Sequence, residues 1–315
     1  MHTRPNPQLG LMDALVTIPA NDFLDRLDPL VDWRPLEKAL HAMYPAVTGR
    51  PPHPPLVLFK MSLLQHCYDL SDPQCEEQVR DRLSWRRFVG LGLQNSVHDE
   101  TVLVRFRQRL MEHGLQEKLL QLVNRQLAAH GWILKRVTLV DATLVQAARR
   151  APAKTDPEGG DTDAGFTVKR GTPHYGYKAH VGVDEEHTLI RQSTLTAANV
   201  HDSREFETVV RGDEQMVVAD KSYASVERSA WLARRGIHNG ILRRATRGHP
   251  LGEPGERMNR FLSGARSRIE KIFGRWKRTL GYRRVRYVGR EPNRLELEFK
   301  CVVWNLKRSV TVSAA

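Results

Sequence analysis

The spacing of apolar residues changes near residue 136, and this change is the strongest constraint on the fold. Before it, apolar residues recur at helical spacing, as in VLVRFRQRL. After it, RVTLVDATLVQA alternates in the manner of a β-strand. We therefore predict an all-helical domain over residues 1–135 and an α/β domain over residues 136–315.

The predicted helical domain is rich in arginine. Its helices include the mostly apolar LVLFKMSLLQHCYDL and a basic helix on which Arg105 and Arg109 lie away from the apolar face. Helix-turn-helix modules use such basic helices to contact DNA phosphates or a groove. A charged surface that meets only solvent is the alternative, because glutamates are interleaved with the arginines. We predict that Arg105 and Arg109 bind DNA.

The net charge favours a polyanionic partner. The chain has 49 Lys and Arg against 36 Asp and Glu, a formal charge of +13. A charge of this size is typical of proteins that bind nucleic acid or an anionic membrane. The membrane is the weaker candidate, because no apolar run approaches the roughly 20 residues of a transmembrane helix. We expect a soluble, intracellular protein whose partner is a nucleic acid.

Strands and helices alternate in the second half of the chain. Residues 148–171 are predicted as a polar loop, and YGYKAHVGVDEEHTLIRQSTLTAANV as a β-hairpin. A helix capped by Asp202, the strand MVVAD, a helix, the strand GIHNGILRR and a long helix follow. This order predicts an RNase H-like catalytic domain, a mixed sheet flanked by helices. Reactive groups in such a sheet collect where adjacent strands end and a helix crosses them.

Three carboxylates occupy positions of this kind. Asp141 lies in the first strand, Asp220 at the end of a later strand, and Glu270 on the long helix. Converging carboxylates raise one another's pKa, so a cluster of them is expected where divalent cations balance the charge. We predict that the three acids bind two Mg²⁺ ions, with Mn²⁺ as a substitute. For each aspartate taken alone, a strand-end cap or an ion pair is the simpler explanation.

The long helix ARSRIEKIFGRWKRTL is predicted to bury one face, formed by Ile269, Ile272, Phe273, Trp276 and Leu280. On a helical wheel Glu270 falls beside this face, half-buried, with Arg266 and Lys277. An ordinary ion pair of Glu270 with Arg266 at i, i+4 spacing is the structural alternative. We predict instead that Arg266 and Lys277 hold DNA phosphates. Further phosphate candidates, with solvated charges as an equal alternative, are Lys169, Arg170 and Lys178 around the hairpin.

Several of these motifs together resemble the bacterial insertion-sequence transposases of the DDE type, in the insertion-sequence-five family. The similar text runs from about residue 55 to 290 and includes VDATLV, TAANVHDS, VVADKSYAS and RSRIEKIFGRWKR. The resemblance implies that Asp141, Asp220 and Glu270 are the first, second and third catalytic acids.

The family signature around the third acid is Tyr, two residues, Arg, three residues, Glu, six residues, Lys. Arg266, Glu270 and Lys277 fit this spacing, but Ser263 stands in the tyrosine position. A serine keeps a hydroxyl with a shorter reach and without the ring. Ser222 similarly stands where a glycine is frequent, two residues after the second acid.

The resemblance implies a DNA transposase that is cytoplasmic and nucleoid-associated. Its partner would be double-stranded DNA, both target DNA and the terminal inverted repeats of its element. The enzyme would hydrolyse the ends and join the freed 3′-hydroxyls to target DNA. Positioning and charge stabilisation drive such phosphoryl transfers, so no covalent protein nucleophile is expected. Joining two ends implies a homodimer or larger assembly on DNA. Two alternatives are a domesticated protein that binds DNA without cutting, which the intact acids disfavour, and an RNase H-like nuclease that cuts without joining.

Overall fold

The computed structural model describes residues 21–44, 53–153, 156, 159–169, 171–245 and 250–314. The chain forms two compact units. The first comprises Met1–Leu127 together with Glu298–Ala315, and the second comprises Ala128–Leu297. None of the described helices is long and apolar enough to cross a membrane.

The first unit is helical, as the sequence predicts. Its helices are α1 (Asp22–Leu27), α2 (Arg34–His41), α3 (Pro55–Tyr68), α4 (Asp72–Asp81), α5 (Leu83–Val89), α6 (Glu100–Glu112) and α7 (Gln116–Ala129). Helix α3 is buried on nearly all sides, which explains why its sequence is apolar without a clear stripe. The side chain of Asp99 accepts a hydrogen bond from the Val102 amide and caps the N-terminus of α6.

The second unit contains β1 (Val137–Gln146), β2 (Gly165–Lys169), β3 (Thr172–Asp184), β4 (Ile190–Ala197), β5 (Met216–Ala219) and β6 (His238–Ile241). Its helices are α8 (Phe206–Val209), α9 (Val226–Arg234) and α10 (Glu253–Thr279); the last helix of the chain, α11, spans Arg290–Val312. The sheet order is β2-β3-β1-β5-β6, with β4 also paired to β3. Strands β1, β3 and β4 pair antiparallel, whereas β1, β5 and β6 pair parallel. This mixed sheet flanked by helices confirms the predicted α/β fold.

Strand β2 corrects the prediction of a loop over residues 148–171. It pairs with the first part of β3, from Gly165 opposite Gly176 to Lys169 opposite Thr172. Phe166 and Val168 alternate along it, but both are exposed. The strand has five residues and lies at the edge of the sheet. Its alternation is too short to predict a strand from the sequence.

The end of the chain also differs from the predicted division at residue 136. Residues 298–315 belong to the helical unit, although they were assigned to the catalytic domain. Within that unit the Phe299 ring stacks on His66, with the ring centroids 4.8 Å apart. Asn305 donates a hydrogen bond to Asn124 over 2.8 Å. The apolar face of α11 therefore completes the core of the first unit.

Candidate active site

The sheet register places two of the predicted acids side by side. Val140 of β1 and Ala219 of β5 form the last pair of these parallel strands. The next residue along β1 is Asp141, and the residue directly after the end of β5 is Asp220. Asp220 precedes a 3₁₀ turn, but its side chain does not cap that turn. A capping role therefore does not account for this carboxylate.

Helix α10 adds the third acid and a cation that contacts all three. Arg266 Nη2 lies 3.2 Å from Asp141 Oδ2, and Arg266 Nη1 lies 3.3 Å from Asp220 Oδ1. The same Nη2 lies 3.9 Å from Glu270 Oε1. The structure thus brings the three predicted acids together around a single guanidinium group. These acids are far apart in sequence. The parallel pairing of β1 with β5 and the packing of α10 on both strands bring them together.

Glu270 is more exposed than the helical wheel predicts. Its side chain is 65% exposed, whereas that of Asp141 is 17% exposed. The buried face of α10 is filled by Ile269, Phe273 and Trp276, as predicted, which leaves Glu270 at the rim. The flexible side chain still reaches Arg266 from this position.

The environment of Asp141 disfavours its negative charge. Burial raises the pKa of its carboxyl group, and the Arg266 guanidinium and a hydrogen bond from the Ala142 amide offset this only in part. The nearby Asp202 carboxylate raises the pKa further. Additional positive charge at this position would therefore stabilise the ionised acid.

The donor chemistry fits a divalent cation. Carboxylate oxygens are the ligands that Mg²⁺ takes in proteins, and Arg266 shows that positive charge is stabilised among them. As arranged, the described residues contain no group of three His, Cys, Asp or Glu side chains close enough to hold one ion. Binding of a cation would thus require the carboxylates to close in as Arg266 gives up contacts.

A basic cavity lies along the same helix, beyond Glu270. It has a volume of about 560 Å³ and apolar walls that include Leu144 and Val145. Its cationic side chains are Lys169, Lys277, Arg278 and Arg283. Burial lowers the pKa of Lys277, and the charges of Lys169 and Arg283 lower it further. The cavity is therefore electrostatically suited to an anion, and it brings together two of the residues predicted to bind DNA.

The other residues predicted to bind DNA have varied surroundings. Lys178 Nζ lies 2.8 Å from both Val200 O and Asp202 Oδ1, so it holds the segment after β4. On α6, Arg105 is exposed, whereas Arg109 donates to Met43 O over 3.2 Å. Arg170 lies outside the described residues.

Two residues near the acids were given no catalytic role from the sequence. Asp202 was predicted to cap a helix, but the His201 ring accepts the hydrogen bond from the Ser203 amide at that turn. Asp202 instead pairs with Lys178. Tyr223 is buried, and the carboxylates of Asp141, Asp202 and Asp220 all influence its hydroxyl. The only sequence signal for either residue is its place in the motifs TAANVHDS and VVADKSYAS.

Comparison with solved structures returns transposases bound to DNA, at low similarity. A piggyBac transposase synaptic complex with hairpin DNA matches at 9% identity and a TM-score of 0.42, over 94% of this chain and 74% of that chain. The Mos1 strand transfer complex matches at 14% identity and a TM-score of 0.21, over 82% and 81% of the two chains. Likeness at these scores is too weak to carry an argument about the site.

Two protein families match successive parts of the chain. A transposase domain family (DUF772) matches residues 13–109. The transposase DDE domain family matches residues 132–306, more than half of the chain and the whole segment that carries the three acids. The protein therefore belongs to the DDE transposases and is a DNA-cutting and joining enzyme.

Proposed function

We propose that Asp141, Asp220 and Glu270 are the catalytic acids of this transposase and hold its divalent metal ions. The observation that supports this assignment is the convergence of the three carboxylates on the Arg266 guanidinium. Held by these carboxylates, two Mg²⁺ ions would activate an attacking oxygen and stabilise the leaving oxygen of a phosphodiester. The acids of this chain orient that chemistry from the middle of β1, the end of β5 and helix α10, which are rigid elements of the fold.

Arg266 has two roles in this proposal. In the metal-free protein it neutralises carboxylates that would otherwise repel one another. With divalent cations bound to the carboxylates, the planar fork of donors of Arg266 would be free to pair with a DNA phosphate. This exchange reconciles the predicted phosphate contact of Arg266 with its observed contacts to carboxylates.

We infer that the DNA runs along the basic cavity. Lys277 lies two turns after Glu270 on α10, so a strand held by Lys277 and Lys169 would lie next to the acids. Exposed Arg105 on the helical unit would add a further phosphate contact. We infer that the enzyme binds the terminal inverted repeats of an insertion sequence of the insertion-sequence-five family in the bacterial nucleoid. Because both ends must be held for joining, at least two protomers would act together.

The reaction assigned here is hydrolysis at the transposon ends followed by attack of the 3′-hydroxyl on target DNA. It can be tested with purified protein and a duplex that carries the gene with its genomic flanks. In Mg²⁺ we expect both cleaved ends and joined products, and with EDTA we expect binding alone. Binding without cleavage in Mg²⁺ would indicate a non-cutting DNA-binding protein, and cleavage without joined products would indicate a nuclease.

Replacing Lys277 with alanine should weaken DNA binding and reduce its salt dependence. A variant with one phosphate contact fewer releases fewer counterions when it binds DNA. The slope of the logarithm of the binding constant against the logarithm of the salt concentration should therefore become shallower by about 1. The control is Lys271→Ala, which removes an exposed lysine from the opposite side of the same helix. Fluorescence anisotropy at several salt concentrations measures both variants. Equal slopes for Lys277→Ala and Lys271→Ala would show that the cavity is not the DNA path.

A further inference from the structure

The hydroxyl of Tyr223 is buried but has no hydrogen-bond partner among the described residues. The side chain is 1% exposed and belongs to an apolar cluster with Val140, Phe206 and Leu232. A buried hydroxyl without a partner destabilises the folded state, because it gives up its hydrogen bonds to water. Phenylalanine would fill the same space without that cost. Packing alone therefore accounts for the ring of Tyr223 but not for its hydroxyl.

The position of Tyr223 places the residue beside the acid site. The residue closes the 3₁₀ turn that follows Asp220, and its amide donates to Asp220 O over 3.0 Å. Burial raises the pKa of the Tyr223 hydroxyl, and the carboxylates of Asp141, Asp202 and Asp220 raise it further. Three carboxylates thus lie within electrostatic reach of one buried donor, and Asp141 has the largest influence among them.

Tyr177 shows how this fold treats a buried tyrosine that serves structure alone. Its side chain is fully buried, and its hydroxyl donates to Asp161 Oδ1 over 2.7 Å. That bond links β3 to a neighbouring loop residue. Tyr223 has the same degree of burial but lacks such a bond.

The present contacts of Asp141 suggest which acceptor Tyr223 serves. Asp141 Oδ1 accepts from the Ala142 amide, and Oδ2 accepts from Arg266 Nη2. A carboxylate that binds a metal normally accepts a second hydrogen bond that fixes its orientation. If a divalent cation displaces Arg266, Asp141 loses one of its two donors and needs another.

We propose that Tyr223 is a positioning residue of the acid site, whose hydroxyl donates to the Asp141 carboxylate when a divalent cation displaces Arg266. The inference rests on the proposed function, in which Asp141 holds metal. It assigns the buried hydroxyl to the metal-bound state of the site. In the metal-free protein the hydroxyl of Tyr223 has no partner in the described part of the chain. When the cation binds, this hydroxyl fixes the orientation of the Asp141 carboxylate.

The test is Tyr223→Phe in the full-length chain, which keeps the ring and removes only the hydroxyl. Thermal unfolding is followed without DNA while MgCl₂ or MnCl₂ is titrated. The melting temperature without metal should be unchanged or higher, because an unsatisfied donor is removed. The apparent metal affinity should fall about 10- to 100-fold, as expected for the loss of a hydrogen bond that orients a ligand.

Two further variants separate the possible results. Tyr177→Phe should lower the metal-free melting temperature, because it breaks the bond to Asp161, and should keep the metal affinity of the wild type. Asp141→Asn should lose most of the metal-induced stabilisation. If Asp141→Asn loses it and Tyr223→Phe binds metal like the wild type, the role of Tyr223 is refuted and the metal site stands. If the wild-type protein gains no stability from either metal, both the metal site and the role of Tyr223 are refuted.

Discussion

Glu270→Gln is expected to abolish DNA cleavage and strand transfer while folding and DNA binding stay almost unchanged. Glutamine keeps the size and helix propensity of glutamate but removes the charge that would hold a metal ion. The loss of several kcal/mol of charge stabilisation corresponds to a fall in rate of about 10³-fold or more. Asp141→Asn and Asp220→Asn should have the same effect, because the three carboxylates act as one site.

The matched control is Glu256→Gln, the same change at an exposed position on the first turns of α10. Cleavage of a labelled transposon end in Mg²⁺ gives the rate, and circular dichroism gives the fold. A Glu270→Gln protein that cleaves at the wild-type rate would contradict the assignment of three acids. Glu270 would then be a surface partner of Arg266, whose pairing contributes only a few tenths of a kcal/mol.

The convergence of the acids could be predicted because it follows from local patterns. Alternation of apolar residues located β1 and β5. Once these strands pair in parallel, Asp141 within β1 and Asp220 at the end of β5 must lie close together. The buried face of α10 followed from its helical period. The contacts of Arg266 could not be predicted in this way. A helical wheel shows on which side a residue lies, but it does not show which groups of other elements face that side.

The two differences in the fold have related causes. Strand β2 is exposed and paired on one side, and the alternation of Phe166 and Val168 within its five residues is too short to predict a strand. For α11 the sequence shows an apolar face but not the unit that covers it. The amphipathic pattern is the same whether the helix packs on the sheet or on α3. Tertiary contacts alone decide this, and here they place residues 298–315 with the helical unit.

The contribution of α11 to the helical unit can be judged from its contacts within that unit. Phe299 lies against Phe59 and His66, and Val303 and Leu306 line an apolar cleft with Leu63. Its buried apolar side chains from residue 298 onward are Phe299, Cys301, Val302, Val303, Trp304, Leu306 and Val310. Each large apolar side chain contributes about 1.5–3 kcal/mol when fully buried. Together they rival the 5–15 kcal/mol by which a typical domain is stable.

Residues 1–135 expressed alone, without the end of α11, are therefore expected not to fold cooperatively. The fragment would expose the apolar surface of α3 that Phe299 covers, and it would aggregate or unfold. In the full-length chain, Phe299→Ala should destabilise the protein by about 3–5 kcal/mol, whereas Thr311→Ala, at an exposed position of the same helix, should have little effect. Chemical denaturation followed by circular dichroism measures all three. A 1–135 fragment that is soluble, helical and cooperative would show that the helical unit does not need α11, and the boundary near residue 136 would then describe an independent domain.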